Sequence, residues 1–244
     1  MQGFIAVYLR ELLILKYRFK RQLAGMAISP LLYLITFGYA MGGFIHFDGH
    51  SYLEFLIPGL VAMGSMTQAF SISTDINVAR FYWNIFEEFQ AAPISNLSYV
   101  AGEVLAGMTR ALLAILVILL LSLPFGVVLH YGPLFWLAVL CNCFVFASLA
   151  VALAMLVKSH ADQSLLTNFI ITPMAFLGGT FFPVEKLPEW AQMLLACLPL
   201  THASHAIRAS ALGQPVQALD FVVLLVTGGL FFWLALHSVN RARD

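Results

Sequence analysis

Six apolar runs, each about as long as a bilayer is thick, leave this chain little freedom in what it folds into. They cover residues 23–43, 52–78, 99–123, 134–157, 165–182 and 221–239. A helix needs roughly 20 apolar residues to cross the hydrocarbon core. Hydrophobic residues make up 61% of the 244 and charged residues only 10%, where a soluble domain holds about a half and a quarter. The chain therefore reads as a single all-α membrane domain over 1–244 with six transmembrane helices. A net charge of zero gives no footing for nucleic acid.

The segments between the runs carry the remaining organisation. Over 1–21, Phe4, Val7, Tyr8, Leu12 and Leu15 share one helical face, with Arg10, Lys16, Arg18, Lys20 and Arg21 around the rest. So short and basic a helix lies in the membrane interface. Pro30 is expected to kink the first span, and Pro58-Gly59 to break the second near one end. The second span turns polar through Thr67, Gln68, Ser71, Ser73, Thr74, Asp75 and Asn77, so that side must face other helices or a wet cavity. Glu103 and Arg110 share a face of the third span near its end, where they pair or snorkel. Lys158 to Gln163 reads as a polar loop, and Pro173 and Gly178-Gly179 interrupt the fifth span. Over 183–213, Pro183, Pro188 and Pro199 cut the chain into pieces of about ten residues, too short to cross. They read as two re-entrant helices before the sixth span.

Positive charge sets the expected orientation. Six spans place both termini on one side, with Arg10, Lys16, Arg18, Lys20, Arg21, Arg80, Lys158, Arg241 and Arg243; the other side has Lys186 and Arg208. That bias makes the termini cytoplasmic and the re-entrant segment outward. The charged and aromatic stretch 80–95, between the second and third spans, then becomes a short helix under the membrane on the cytoplasmic side. No secretory leader is legible at the N-terminus.

Reactive chemistry is hard to find. No glycine is followed by lysine, so there is no phosphate-binding loop. His202 and His205 have helical metal-ligand spacing but no obvious third ligand. Cys141 and Cys143 form a Cys-x-Cys that suits small buried hydrophobes better than a soft metal. Glu87 and Glu88 are adjacent and point to different helical faces, which suits docking. Ion-driven carriers show buried mid-span carboxylates or paired broken helices, and neither is legible here. A transporter with no visible energy source implies a partner that supplies it. The alternative is a self-contained channel or secondary carrier.

Three stretches then stand out together: Phe55-Leu56-Ile57-Pro58-Gly59-Leu60, Asn84-Ile85-Phe86-Glu87-Glu88-Phe89-Gln90-Ala91-Ala92-Pro93-Ile94-Ser95, and Leu177-Gly178-Gly179-Thr180-Phe181-Phe182-Pro183. On them the chain resembles the membrane subunits of ABC-2-type transporters, in the branch of nodulation-factor, drug and polysaccharide exporters. The resemblance implies an N-terminal interfacial helix, six spans, a cytoplasmic coupling helix and outward re-entrant helices. It also implies a separate ATPase subunit that binds ATP and Mg, leaving this chain without a cofactor or catalytic residue, and a second permease subunit, as a homodimer, in the lipid of the inner membrane. On that reading Arg80, Trp83, Asn84, Phe86, Glu87, Glu88, Phe89 and Pro93 couple to the ATPase. Tyr33, Phe37, Met63, Met66, Phe70 and Phe176 are candidates for the translocation path. Such an apolar, aromatic seam suits an amphipathic or lipid-linked cargo better than an ion.

Overall fold

The computed structural model describes residues 2–41, 46, 47, 49–83, 85 and 92–241. Within them the chain is helical apart from one small hairpin. Helix α1 (Gln2–Tyr17) leads into α2 (Phe19–Met41), and strands β1 (His46–Phe47) and β2 (His50–Ser51) pair antiparallel. Next come α3 (Tyr52–Phe70), α4 (Ile72–Phe81), α5 (Asn96–Ser122), α6 (Pro133–Leu156), α7 (His160–Leu166) and α8 (Thr172–Leu177). Three more complete the fold: α9 (Glu189–Ala196), α10 (Pro199–Ala211) and α11 (Ala218–Arg241).

Among the described residues, four helical stretches are long and apolar enough to cross a membrane: Tyr52–Phe81, Asn96–Phe125, Pro133–Leu156 and Ala218–Arg241. They are not equivalent. The α3–α4 stretch is 83% buried over its most apolar window and α11 only 22%, so α3 is the axis and α11 a wall that turns Leu225, Val226, Leu230 and Trp233 outward. Helices α5, α6 and α10 pack around α3, α11 lies on α6, and α1 lies on α5.

Local chemistry accounts for the joints. Ser51 and Glu54 form a capping box that starts α3: Glu54 N–H donates to Ser51 Oγ at 3.3 Å, and Ser51 N–H to Glu54 Oε2 at 2.6 Å. The break expected at Pro58-Gly59 is absent; α3 runs through it and gives way to α4 at Ser71. Leu56, Ile57 and Leu60 are sealed on all sides, and that packing outweighs the missing proline donor. Instead of a loop, Lys158–Gln163 opens a helix: the Ser159 hydroxyl caps α7 by accepting from Asp162 N–H at 3.1 Å.

The fifth run is helical from His160 to Leu177, but a π turn at Thr167–Ile171 separates α7 from α8. It stops where sequence predicts, with Gly178 as C-cap and Gly179 at φ +81°. Pro188 caps α9 and Pro199 opens α10, so the prolines divide 183–213 as expected.

Polar side chains inside the bundle act as ties between helices. Asn77 Nδ2 donates to Gln163 Oε1 at 3.0 Å, and Gln163 Nε2 donates to Ser73 Oγ at 3.0 Å, joining α4 to α7. Asn142 Nδ2 on α6 donates to Ala62 O and Ser65 Oγ on α3 at 3.0 and 2.8 Å. Side-chain hydrogen bonds of this kind hold helices together where water is absent.

Candidate functional site

A cavity of about 410 Å³ lies between α2, α3, the start of α4, α5 and the 167–176 stretch. Along α3 and α4, Met63, Thr67, Ser71 and Thr74 fall on one stripe and turn into it. Opposite them stand Thr167, Thr172 and Phe176, with Ser29 and Tyr33 from α2. Among the described residues, no charged side chain lines it.

The hydroxyls are already committed as donors. Thr67 Oγ1 donates to Gly64 O at 3.2 Å, Ser71 Oγ to Gln68 O at 2.7 Å, and Thr167 Oγ1 to Gln163 O at 2.9 Å. Each spends its proton on its own helix; the Thr67 and Thr167 oxygens remain available to accept, while Ser71 Oγ also accepts from Arg110 at 3.2 Å. The wall is thus mainly apolar with hydrogen-bond acceptors set into it, and the Gln68 amide is among its polar groups.

The sequence-derived path residues divide in space. Tyr33, Met63, Phe70 and Phe176 line the cavity. Phe37 stands apart from it in an aromatic cluster, 5.4 Å from the Phe181 ring and 6.3 Å from that of Tyr52. Met66 is wholly buried in the core. Of the coupling set, Asn84, Phe86, Glu87, Glu88 and Phe89 lie outside the described residues. Arg80 belongs to the last turn of α4, where it donates to Ala154 O and lies 5.0 Å over the Phe81 ring. Trp83 is about half exposed, and Pro93 is exposed.

Beside the cavity wall sits a charge cluster in which Arg110 pairs with a neighbour, one of the two roles its sequence position offered. Arg110 is buried and meets Asp75 at 2.6 Å and Ser71 Oγ at 3.2 Å; Arg18 approaches Asp75 at 3.8 Å. Glu103 is fully buried, and among the described residues neither carboxylate oxygen has a hydrogen-bond partner. Glu11 on α1 bonds Arg10 at 2.6 Å; burial pushes its carboxyl above the usual range, against the pull of Arg10. The signal available in sequence was the polar run 67–77 facing Arg110, which needed a third helix to be read.

At the other end of α3, two of the sequence marks become one structural unit. Gly59 lies against Thr180, so close that a Cβ there would sit 3.0 Å from the Thr180 Cα. Arg208 on α10 joins the same two strands of chain: Nη2 donates to Gly179 O at 2.6 Å and Nε to Phe55 O at 3.3 Å, with the guanidinium 3.8 Å over the Phe55 ring. Ser204 Oγ donates to Gly178 O at 2.6 Å, and Tyr52 OH to Phe181 O at 3.0 Å. Nearby, His202 and His205 share the Asp220 carboxylate at 2.8 and 2.6 Å. That hydrogen bond raises both imidazole pKa values, in opposition to burial.

These features have a family. The description "ABC-2 type transporter" matches residues 2–212. The chain belongs to that family. It is a membrane transport subunit without catalysis of its own, from a family that works with an ABC ATPase subunit. This ABC-2 permease is 29% identical over 238 residues to "Inner membrane transport permease YadH" of Escherichia coli (strain K12), an alignment covering 93% of this chain and 92% of that protein. It is 32% identical over 217 residues to "Nodulation protein J" of Rhizobium meliloti (strain 1021), covering 88% and 83%. The same-named protein of Rhizobium leguminosarum bv. viciae is 31% identical over 217 residues, covering 88% and 84%.

Proposed function

We propose that this permease exports an amphipathic or lipid-linked compound across a bacterial inner membrane, driven by an ATPase that binds ATP and Mg. The observation carrying this reading is the cavity wall, apolar on Met63, Phe70 and Phe176 with uncharged acceptors on Thr67, Thr167 and Thr172. A cargo with an apolar part and hydroxyl or amide donors matches such a wall; a small ion does not. In this reading α2 and the 160–177 stretch complete six spans, both termini are cytoplasmic, and α9 and α10 are outward re-entrant helices. A second copy then closes the cavity across a two-fold seam.

Coupling is assigned to 80–95. ATP binding draws two ATPase subunits together, and each presses on the segment around Asn84 to Ala92. Glu87 and Glu88 offer acceptors to basic or amide donors, the aromatic residues anchor the segment, and Pro93 stiffens its exit. Membership of the ABC-2 family and the similarity to an inner membrane transport permease and to nodulation protein J support this assignment. Glu87→Arg with Glu88→Arg should abolish ATP-dependent export while membrane insertion and copurified ATPase are scored separately. Export at the wild-type rate refutes the docking role.

A further inference from the structure

A second cavity, of about 580 Å³, opens where α4, α6 and α11 all end. Arg80, Lys158, His237 and Arg241 form its polar rim. Its floor is Phe81, Met155, Leu156 and Val157, and among the described residues no carboxylate lines it. Leu156 is exposed, and so is Trp233, whose ring stacks on His237 at 5.8 Å.

Cations at the C-terminal ends of three helices complement the helix dipoles, which is the plainest account of them. Arg80 is used that way, on the carbonyl of Ala154. Lys158 and Arg241 are exposed and make no ion pair or side-chain hydrogen bond among the described residues. Both line the cavity rather than a helix end alone.

We propose that this cavity binds an anionic phospholipid, its phosphate between Lys158 and Arg241 and its acyl chains descending past Leu156 and Trp233. The cationic rim supplies charge-assisted donors to a phosphate that carries no neutralising charge of its own. Basic pockets between membrane helices near the bilayer surface take such headgroups. The apolar floor argues for a lipid over a soluble anion: a free phosphate has nothing to place on Phe81, Met155 and Leu156. The cavity shares Arg80 and Phe81 with the 80–95 coupling stretch, but the phosphate ligands Lys158 and Arg241 lie outside it, so lipid retention and coupling fail separately.

The test uses the full chain, purified in neutral detergent and exchanged into nanodiscs of phosphatidylcholine with or without phosphatidylglycerol. Native mass spectrometry counts retained lipid for the wild type, for Lys158→Gln/Arg241→Gln, and for Lys16→Gln/Lys20→Gln, which removes equal charge elsewhere. The wild type and the second variant should retain phosphatidylglycerol over phosphatidylcholine. The first variant should bind it about thirtyfold more weakly, as loss of two cations near a membrane surface implies. Equal retention by all three proteins overturns the site. Displacement of phosphatidylglycerol by an equal concentration of inorganic phosphate assigns the rim to a soluble anion and also overturns it. So does unchanged lipid retention in the first variant together with loss of copurified ATPase, which assigns these cations to the partner protein.

Discussion

Replacing Gly59 with alanine should weaken the fold, whereas the same change at Gly64, five residues along α3, should not. Both glycines lie in a helix interior, where alanine adds roughly 1 kcal/mol of stability. They differ in what the new methyl meets. At Gly64 it meets only the Cδ1 tip of Ile118, at 2.5 Å, and a rotamer change clears it. At Gly59 it meets backbone, with the Thr180 Cα at 3.0 Å and carbonyl carbon at 3.1 Å. Carbon atoms pack at about 3.5 Å or more, so the 178–180 turn must retreat by roughly 0.5 Å or further. Overpacking of this kind costs about 1–3 kcal/mol. The retreat also stretches the Arg208–Gly179 hydrogen bond of 2.6 Å, and bonds to charged groups contribute about 1.5–3 kcal/mol. After the gain in helix propensity, Gly59→Ala should lose roughly 2–4 kcal/mol, or about 5–15 °C in Tm for a chain of this size. Gly64→Ala should stay within about 1 kcal/mol of the wild type. Thermal unfolding of the purified permease, followed by tryptophan fluorescence, reads both. A Gly59→Ala protein that melts at or above the wild-type temperature refutes the close approach of α3 to the Gly178–Thr180 turn.

The Asp75–Arg110 pair at 2.6 Å should behave as a unit. Arg110→Met or Asp75→Asn alone strands a charge in the bundle and should cost about 3 kcal/mol, while the double variant recovers at least about 1 kcal/mol of the summed loss in a melting cycle. Additive losses refute the pairing. Asp220 holds His202 and His205 above the ordinary imidazole pKa of about 6.5. A raised folded-state pKa adds stability that is fully present below the unfolded value and is lost as pH rises through the folded one. The Tm gap between the wild type and Asp220→Asn should therefore be widest below about pH 6 and narrow toward about pH 9; a gap independent of pH contradicts the assignment. Cys197 is exposed, while Cys141 and Cys143 are buried in α6. An impermeant maleimide applied from outside should label Cys197 alone in intact cells with permeable outer layers, and labelling from the cytoplasmic face instead reverses the orientation.

Sequence alone settled the class of this protein, because hydrocarbon imposes a length and a polarity that six runs of apolar residues make visible. It also placed the prolines and glycines of 173–213 correctly, since those residues act on their own backbone: Gly179 at φ +81° ends its helix by itself. Where a tertiary partner decides, the linear reading failed. Pro58 was expected to break a helix that packing on every side keeps continuous, and the loop at Lys158–Gln163 became a helix because buried Gln163 has Ser73 and Asn77 to bond. For Glu103 and Arg110 pairing and snorkelling were both open; α1 and α4 cover the face of α5 that carries them, and Arg110 pairs with Asp75. Among the path candidates, packing turns Met63 toward the cavity and Met66 into the core, a difference that periodicity along α3 does not carry. The marks at Phe55–Leu60 and Leu177–Pro183, more than a hundred residues apart, form one unit through Arg208 and the absent side chain of Gly59. Such a contact depends on two backbones meeting, and distance along the chain carries no record of it.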